Sequence, residues 1–275
     1  MQHTSLLIDT HCHLDADEFA SQRDQAVTAA LAAGVGQIVV PAVAARLFAA
    51  CLAMRARYGC LIAFGLHPLY CAEHVDDHLT ALETRLRQDQ PVAVGEIGLD
   101  AWLPDADLAR QETLFVEQLK LARRFDLPVI LHLRRAQDRV LKYLRQIPVA
   151  GGIAHAFNGS EQQAQAFIAL GFKLGFGGAM TYTGSQRIRR LAATLPLDSL
   201  VLETDAPDIR PAWASDVPNQ PANLARFAAE LASLRQLPLA EVCRQTTANA
   251  RQALAINDTS LGQLHAARDP QLPYA

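Results

Sequence analysis

The sequence lacks the features that would place it in a membrane or in an oxidising compartment. No unbroken apolar run approaches the roughly 20 residues that cross a bilayer, and the N-terminus lacks the basic and apolar regions of a signal peptide. The 5 cysteines are an odd number and form no Cys-x-x-Cys pair, which argues against a zinc ribbon or a disulfide framework. We therefore expect a soluble, cytoplasmic protein that needs no membrane.

The net charge is small, and aromatic residues are few. The formal net charge is −3 and aromatic residues make up 6% of the chain. The sequence therefore suggests neither a broad basic face for duplex DNA nor an aromatic stacking platform. Bound divalent ions would concentrate positive charge at one place, so the composition still permits local capture of a phosphate. Composition alone does not decide the substrate.

Short apolar runs alternate with longer amphipathic segments along the whole chain. Apolar runs without strict alternation are typical of parallel strands that are covered by helices, so the pattern predicts an α/β fold, a (β/α)8 TIM barrel. No linker, charge block or low-complexity segment divides the chain, so we expect a single domain over residues 1–255 and a loosely attached C-terminal tail over 256–275. The predicted strands are 6–8, 37–40, 61–64, 92–94, 128–131, 152–154, 172–176 and 200–202. The predicted helices are 23–33, 44–58, 78–88, 107–125, 136–146, 160–170, 186–195, 223–235 and 239–254.

A pair of histidines spaced by one residue follows the first apolar run. Side chains alternate along a strand, so His11 and His13 point the same way and Cys12 points the other way. Two imidazoles on one face can bind a single metal ion. A pair of histidines hydrogen-bonded in a turn is the structural alternative.

Later strands end in the same residue types. In barrels of this kind the chemistry lies at the carboxyl ends of the strands. Each of these residues has an ordinary alternative as a core histidine, a cap or a turn residue, but a joint cluster of buried ionisable groups is costly unless something binds there. The strand ends therefore predict a metal site. Its candidates are His11, His13, His67, Glu96, His132, His155 and Asp205.

Six short motifs follow one another along the chain: IDTHCHLD (8–15), GLHP (65–68), GEIGLD (95–100), PVILHLR (128–134), HAFNGS (155–160) and LETDAP (202–207). In this order they resemble the motifs of the TatD family of metal-dependent deoxyribonucleases and hydrolases, within the amidohydrolase-like barrels. A seventh piece, Thr247-x-Asn249, lies in the predicted helix where that family carries a similar signature. The segment after Asp100 departs from the family, which often has aromatic or basic residues there.

The resemblance implies two divalent metal ions, with Zn or Mn favoured at an imidazole-rich site and Mg as a further candidate. It implies that one ion is held by His11, His13 and Asp205. The second would be held by His132 and His155, and Glu96 would bridge the two. Such a pair of ions lowers the pKa of a shared water toward about 7. Asp205 and Glu96 are then the catalytic carboxylates, and Asp205 is the natural acceptor for the proton of that water.

Substrate contacts are expected from three further residues. Arg134 falls two residues past His132 and can bind a phosphate, with a salt bridge at the rim as the alternative. His67 can donate a hydrogen bond to a phosphate or leaving oxygen, and Glu203 is a candidate for orienting a ligand. Three other sets of residues are expected to lie outside the site. Arg135 should face away. Arg187, Arg189 and Arg190 should form a solvated helix face, with contact to a nucleic-acid backbone as the alternative. His74, His78 and His265 should lie at the surface.

The motifs favour a metal-dependent hydrolase. The resemblance to the TatD family implies, further, a deoxyribonuclease that acts on single-stranded DNA or 3′ ends as a 3′–5′ exonuclease, and we expect no obligate protein partner. The alternative is a hydrolase of a small amide, ester or lactone, because the same barrel and ligands serve those reactions. A metal-binding interaction protein is disfavoured, since a scaffold has no evident use for a complete ligand set and a candidate base.

Overall fold

Eight parallel strands, each hydrogen-bonded to the next in chain order, carry the candidate residues at their carboxyl ends. The computed structural model describes residues 7–102, 104–256 and 263–267. Within these residues helices follow the strands, which confirms the predicted (β/α)8 TIM barrel. The strands are β1 (Leu7–Asp9), β2 (Val35–Ala42), β3 (Leu61–Phe64), β4 (Ala93–Asp100), β5 (Val129–Arg134), β6 (Gly152–Ala154), β7 (Phe172–Phe176) and β8 (Leu200–Leu202).

The helices form the outer layer, and their ends lie close to the predicted ones. Ser160 caps the sixth helix: its side chain accepts from the backbone N–H of Gln163, whose side chain accepts from the N–H of Ser160. Gly59, at a φ of 73°, ends the second helix in the left-handed region. The helices are α1 (Arg23–Ala32), α2 (Phe48–Tyr58), α3 (Asp77–Asp89), α4 (Leu108–Arg124), α5 (Gln137–Gln146), α6 (Glu161–Ala169), α7 (Gln186–Thr194), α8 (Leu224–Arg235) and α9 (Leu239–Ala253).

Strands β4 and β5 run farther than the apolar pattern predicts. The two strands stay paired up to Asp100 and Arg134. A Cβ atom on Gly98 would lie 1.9 Å from the carbonyl oxygen of His132, so the glycine serves close approach of the two strands. Alternation along the longer strands places Glu96 with Asp100, and His132 with Arg134, on common faces.

The barrel closes between its last and first strands through backbone and side-chain hydrogen bonds. The N–H and hydroxyl of Thr10 both donate to the carbonyl oxygen of Leu202, at 3.2 and 3.0 Å. The buried carboxylate of Asp9 accepts from the N–H of Thr204 at 2.9 Å and from its hydroxyl at 2.6 Å. These bonds fix the segments that follow β1 and β8 against each other.

The floor of the site is an apolar layer inside the barrel. Ile130 and Ile153 belong to this layer, and each lies two residues before a histidine on the same strand face. The carboxyl end of α9 adds Ala253 and Leu254 to it. The polar mouth of the barrel therefore rests on a packed interior.

The predicted C-terminal tail falls mostly outside the described residues. Within residues 263–267, Leu264 is buried and its N–H donates to the carbonyl oxygen of Gly36 at 3.2 Å, while the N–H of His265 donates to Tyr58. Residues 257–262 and 268–275, like Leu6 of the first predicted strand, lie outside the described residues. The division of the chain at residue 255 stays a prediction.

Among the helices that the structure describes, none combines the length and the apolar composition needed to cross a bilayer.

Asn249, of the Thr247-x-Asn249 signature, fastens α9 to the start of β8. Its side-chain amide donates to the carbonyl oxygens of Leu197 and Leu200 at 2.8 and 2.7 Å, and the residue is buried. Asn249→Ala leaves both carbonyl groups without this donor, so we expect a loss of about 2–4 kcal/mol in the free energy of unfolding, measured by urea denaturation. Gln252→Ala, at an exposed position of the same helix, should cost less than about 0.5 kcal/mol. Equal losses in the two variants would contradict this role.

Candidate metal centre

The carboxyl ends of the strands surround a cavity of about 1200 Å³. Its base is formed by ionisable side chains that come from different strands. His11 is fully buried beneath this base. The other predicted site residues line the cavity: His13, His67, Glu96, His132, Arg134, His155, Glu203 and Asp205.

Ligand atoms from the two ends of the chain meet in one group. The Nε2 atoms of His11 and His13 are 3.2 Å apart, and Asp205 Oδ1 lies 3.6 Å from the first and 3.5 Å from the second. These three residues can offer ligand atoms that all lie within 4.8 Å of one another. The structure thus brings together the three residues that the resemblance assigned to one ion.

Glu96 lies between two sets of histidines, and each of its oxygens faces one set. Its Oε2 atom is 3.1 Å from His11 Nε2 and 3.7 Å from His13 Nε2. Its Oε1 atom is 3.0 Å from His132 Nδ1 and 3.3 Å from His67 Nε2. A carboxylate in this position can bind one cation through each oxygen.

His155 lies on the His11 side of the centre. Its ring stacks on that of His11 with the centroids 3.6 Å apart, and its Nε2 atom is 3.5 Å from Asp205 Oδ1. The groups of described residues that can hold an ion join His155 with His11 and Glu96, and join His132 with His67 and Glu96. The expectation that His132 and His155 share one ion stays a prediction.

The donor set fits divalent cations. Imidazole nitrogens and carboxylate oxygens converge, and within the described part of the chain the ion-pair partners of Glu96 and Asp205 are all histidines. Burial lowers the pKa of His11, and it lowers that of His67 to about 4, so both rings are neutral. Acceptor nitrogens facing carboxylates are satisfied together by a cation.

The two central carboxylates are held in their ionised form. Burial works to raise the pKa of Glu96, but His67 and His11 outweigh it and hold that pKa well below its ordinary value. Burial opposes ionisation of Asp205 as well, and His155 and His13 likewise lower its pKa. Although burial favours the neutral ring of His13, Asp205 raises its pKa to about 9. A proton and a metal ion therefore compete for His13 Nε2.

His67 is set up as a hydrogen-bond donor. Its Nδ1 atom accepts from the backbone N–H of Leu69 at 3.1 Å, so in the neutral ring the proton is on Nε2, which faces Glu96. His74, predicted to lie at the surface, is buried, and its Nε2 atom is 3.0 Å from the carbonyl oxygen of His67. The prediction for His74 was wrong because the turn after β3 brings its ring against the backbone of His67.

Asp100 is a member of the site that the sequence reasoning missed. Its Oδ2 atom is 2.9 Å from His132 Nε2, so Asp100 and Glu96 contact opposite nitrogens of that ring. Burial opposes the ionisation of Asp100, but the hydrogen bond to His132 lowers its pKa below the ordinary value. Extending β4 past its glycines would have found it, because alternation puts Asp100 on the face of Glu96.

The rim of the cavity carries an aromatic residue between arginines. The guanidinium carbons of Arg134 and Arg135 lie 4.2 and 4.0 Å from the ring centre of Trp102, and all three residues line the cavity. Arg135 was expected to face away; this was wrong because the strand ends at Arg134 and Arg135 takes a φ of 56°, so strand alternation stops there.

The three arginines of the basic face predicted for α7 lie in different surroundings. Arg187 lines the cavity and donates to Asn158 Oδ1 at 2.6 Å. Arg189 pairs with Glu230 at 2.6 Å, and Arg190 is exposed as predicted.

Comparison with known proteins identifies the family to which this chain belongs. A family model described as TatD related DNase matches residues 8–255. The chain belongs to the TatD family. It is 45% identical over 241 residues to an Escherichia coli K12 protein described as uncharacterized metal-dependent hydrolase YjjV, covering 86% of this chain and 93% of that protein.

A further TatD relative and a solved structure are similar over almost their whole lengths. The chain is 32% identical over 261 residues to a Cronobacter sakazakii protein named 3′-5′ ssDNA/RNA exonuclease TatD, covering 91% of this chain and 98% of that protein. The crystal structure of YjjV, a TatD homolog from Escherichia coli K12, matches with a TM-score of 0.89 at 41% identity and covers 92% of this chain and 100% of that chain. The TatD family thus accounts for the barrel and for the order of its motifs.

Glu203 orients His155 from behind. Its Oε1 atom is 3.0 Å from His155 Nδ1 and accepts from the N–H of Ala156 at 2.6 Å. Because the outer partner of a metal-binding histidine fixes its ring, we expect Glu203→Gln to weaken metal binding by about tenfold to a hundredfold, measured by competition with a chromogenic chelator. Glu117→Gln, which removes one partner of a surface ion pair with Lys120, should leave the affinity unchanged. Unaltered affinity in Glu203→Gln would rule out this positioning role.

Proposed function

We propose that this TatD-family protein is a metal-dependent hydrolase of phosphodiester bonds that removes nucleotides from the 3′ ends of single-stranded DNA. The observation that carries the proposal is the position of Glu96 at the base of the cavity, with one oxygen toward His11 and His13 and the other toward His132. Two divalent ions held on a shared carboxylate are the arrangement that in-line phosphoryl displacement uses.

The names of related proteins support both parts of the proposal. The Escherichia coli K12 relative is described as a metal-dependent hydrolase, and the Cronobacter sakazakii relative as a 3′-5′ ssDNA/RNA exonuclease. Both alignments span the barrel of this chain, so the names bear on the whole site. The first name favours a metal-dependent hydrolase, and the second favours the 3′ ends of nucleic acids as its substrate.

The ion ligands in this proposal are His11, His13, Glu96, His132, His155 and Asp205. Bound divalent ions, with Zn, Mn and Mg as the candidates, supply a lowered pKa for a water and neutralise charge on the phosphoryl oxygens. Burial keeps the imidazoles of His11 and His67 neutral. Asp100 and Glu203 hold the rings of His132 and His155 in place.

Asp205 takes the proton from the attacking water. Its side chain is 13% exposed, toward the cavity, and a carboxylate held ionised by neighbouring histidines is ready to accept a proton. As the water oxygen bonds to phosphorus, the bond to the 3′ oxygen of the preceding nucleotide breaks, and the proton that Asp205 took from the water goes to that leaving oxygen to give the 3′ hydroxyl. The Nε2–H of His67, which lies 3.3 Å from Glu96 Oε1, can share its proton between that carboxylate and a phosphoryl oxygen and so helps to hold the group in line.

The test is digestion of a 5′-labelled single-stranded DNA oligonucleotide by metal-loaded protein. We expect a ladder that shortens from the 3′ end and disappears with chelator. Asp205→Asn should retain metal, because the amide oxygen can still be a ligand, and should lower kcat by a factor on the order of 10³. Metal content is measured in the same samples.

Two results would contradict the proposal. Intact DNA together with rapid turnover of a small carboxyl ester or amide would assign the centre to a small-molecule hydrolase. Unchanged kcat in metal-loaded Asp205→Asn would remove the role assigned to that carboxylate.

A further inference from the structure

Trp102, Arg134 and Arg135 form a cluster on the rim, which we call the arginine clamp. Both guanidiniums lie over the indole ring. Arg134 faces Asp100 across the β4–β5 ladder, but within the described residues neither arginine forms an ion pair. The clamp therefore presents to the cavity two positive charges that form no ion pair with a carboxylate in the part of the chain that the structure describes.

Stacking holds these guanidiniums without using their hydrogen-bond donors. A guanidinium that lies on an aromatic face keeps the N–H groups in its own plane available, and those groups match the oxygens of a phosphate. Because two guanidiniums already lie over the ring of Trp102, the ring has little room for a stacked nucleobase. The clamp is therefore suited to backbone phosphate.

The opposite side of the mouth is acidic. In a barrel of eight strands in chain order, β1 and β8 lie across from β4 and β5. Besides Glu203 and Asp205, the segments after β1 and β8 contribute four carboxylates to the cavity lining, which we call the acidic wall: Asp15, Asp17, Glu18 and Asp208. Arg46, which follows β2 and also lines the cavity, pairs with Glu73 at 3.2 Å. The metal centre thus lies between a basic side and an acidic side.

We propose that this division of charge orients the DNA strand: the arginine clamp binds the phosphate on the 5′ side of the scissile bond, and the terminal nucleoside with its free 3′ hydroxyl lies toward the acidic wall. This inference rests on the proposed function and adds the direction in which the strand crosses the site. A phosphate at the 3′ end would meet the carboxylates of the wall and be repelled, whereas a hydroxyl can donate to them. The same arrangement therefore selects a hydroxyl end.

The first test replaces one charge of the clamp. Arg135→Gln should raise KM for a 5′-labelled single-stranded oligonucleotide by about tenfold, because one charge-assisted contact is lost. It should also reduce the slope of log KM against log salt concentration by about 0.7. Turnover of bis(4-nitrophenyl) phosphate, which has no second phosphate for the clamp, should not change. Trp102→Leu should act in the same direction, since the guanidiniums lose their support.

Arg190→Gln is the matched control. It removes the same charge from an exposed position that does not line the cavity, so KM and the salt slope should stay at the wild-type values. If Arg135→Gln behaves like Arg190→Gln on the oligonucleotide while the wild type digests it, the clamp is overturned and the proposed function stands. If the wild type hydrolyses neither the oligonucleotide nor the small phosphodiester, the proposed function itself fails.

The second test changes the end of the strand. Oligonucleotides of one sequence that end in a 3′ hydroxyl or a 3′ phosphate are compared, and we expect kcat/KM for the phosphate end to be lower by about tenfold or more, since like charges across a binding site disfavour association. Asp208→Asn, at an exposed position of the wall, should reduce this preference. Equal rates on the two ends would overturn the orientation.

Discussion

The site depends on the contact between Asp9 and Thr204, which joins the first strand of the barrel to the last. We call this junction the seam. These residues are far apart in the chain, yet the carboxylate accepts from both the N–H and the hydroxyl of Thr204. Just beyond it, the N–H of Asp205 donates to the carbonyl oxygen of His11 at 2.8 Å. The seam therefore sets the distance between the ligand atoms that follow β1 and the carboxylate that follows β8. Burial raises the pKa of Asp9 to about 7, which shows how far this carboxylate lies from solvent.

The cluster above the seam is unfavourable to folding unless cations bind it. Several imidazoles and two carboxylates are buried at close distance, and each loses hydration when the barrel forms. The strands can hold them because the layer below is apolar and packed, with Ile130 and Ile153 directly under the ligand positions. Cation binding to the folded state then adds stability by mass action. Folding and metal binding are for this reason coupled.

The sequence predicted most of the barrel because its strands are short apolar runs, each followed by one chemically distinct residue. It failed where a local signal had two meanings. The predicted strand ends at residue 94 because Gly95 and Gly98 read as a turn, but both glycines lie inside β4. A Cβ atom on Gly98 would meet the carbonyl oxygen of His132. The part of β4 that the sequence pattern did not predict includes Asp100, which contacts His132. Arg135 and Trp102 were missed for a different reason: their contact depends on how two loop segments meet, which no periodicity encodes.

We propose that Glu96 divides the centre into two cation positions, one for each carboxylate oxygen. Anomalous diffraction from crystals soaked in Mn²⁺ tests this most directly. We expect two anomalous peaks beside Glu96, one near the Nε2 atoms of His11 and His13 and one on the side of His132. A single peak that leaves the Oε1 side of Glu96 without a cation, or peaks away from this carboxylate, would contradict the claim.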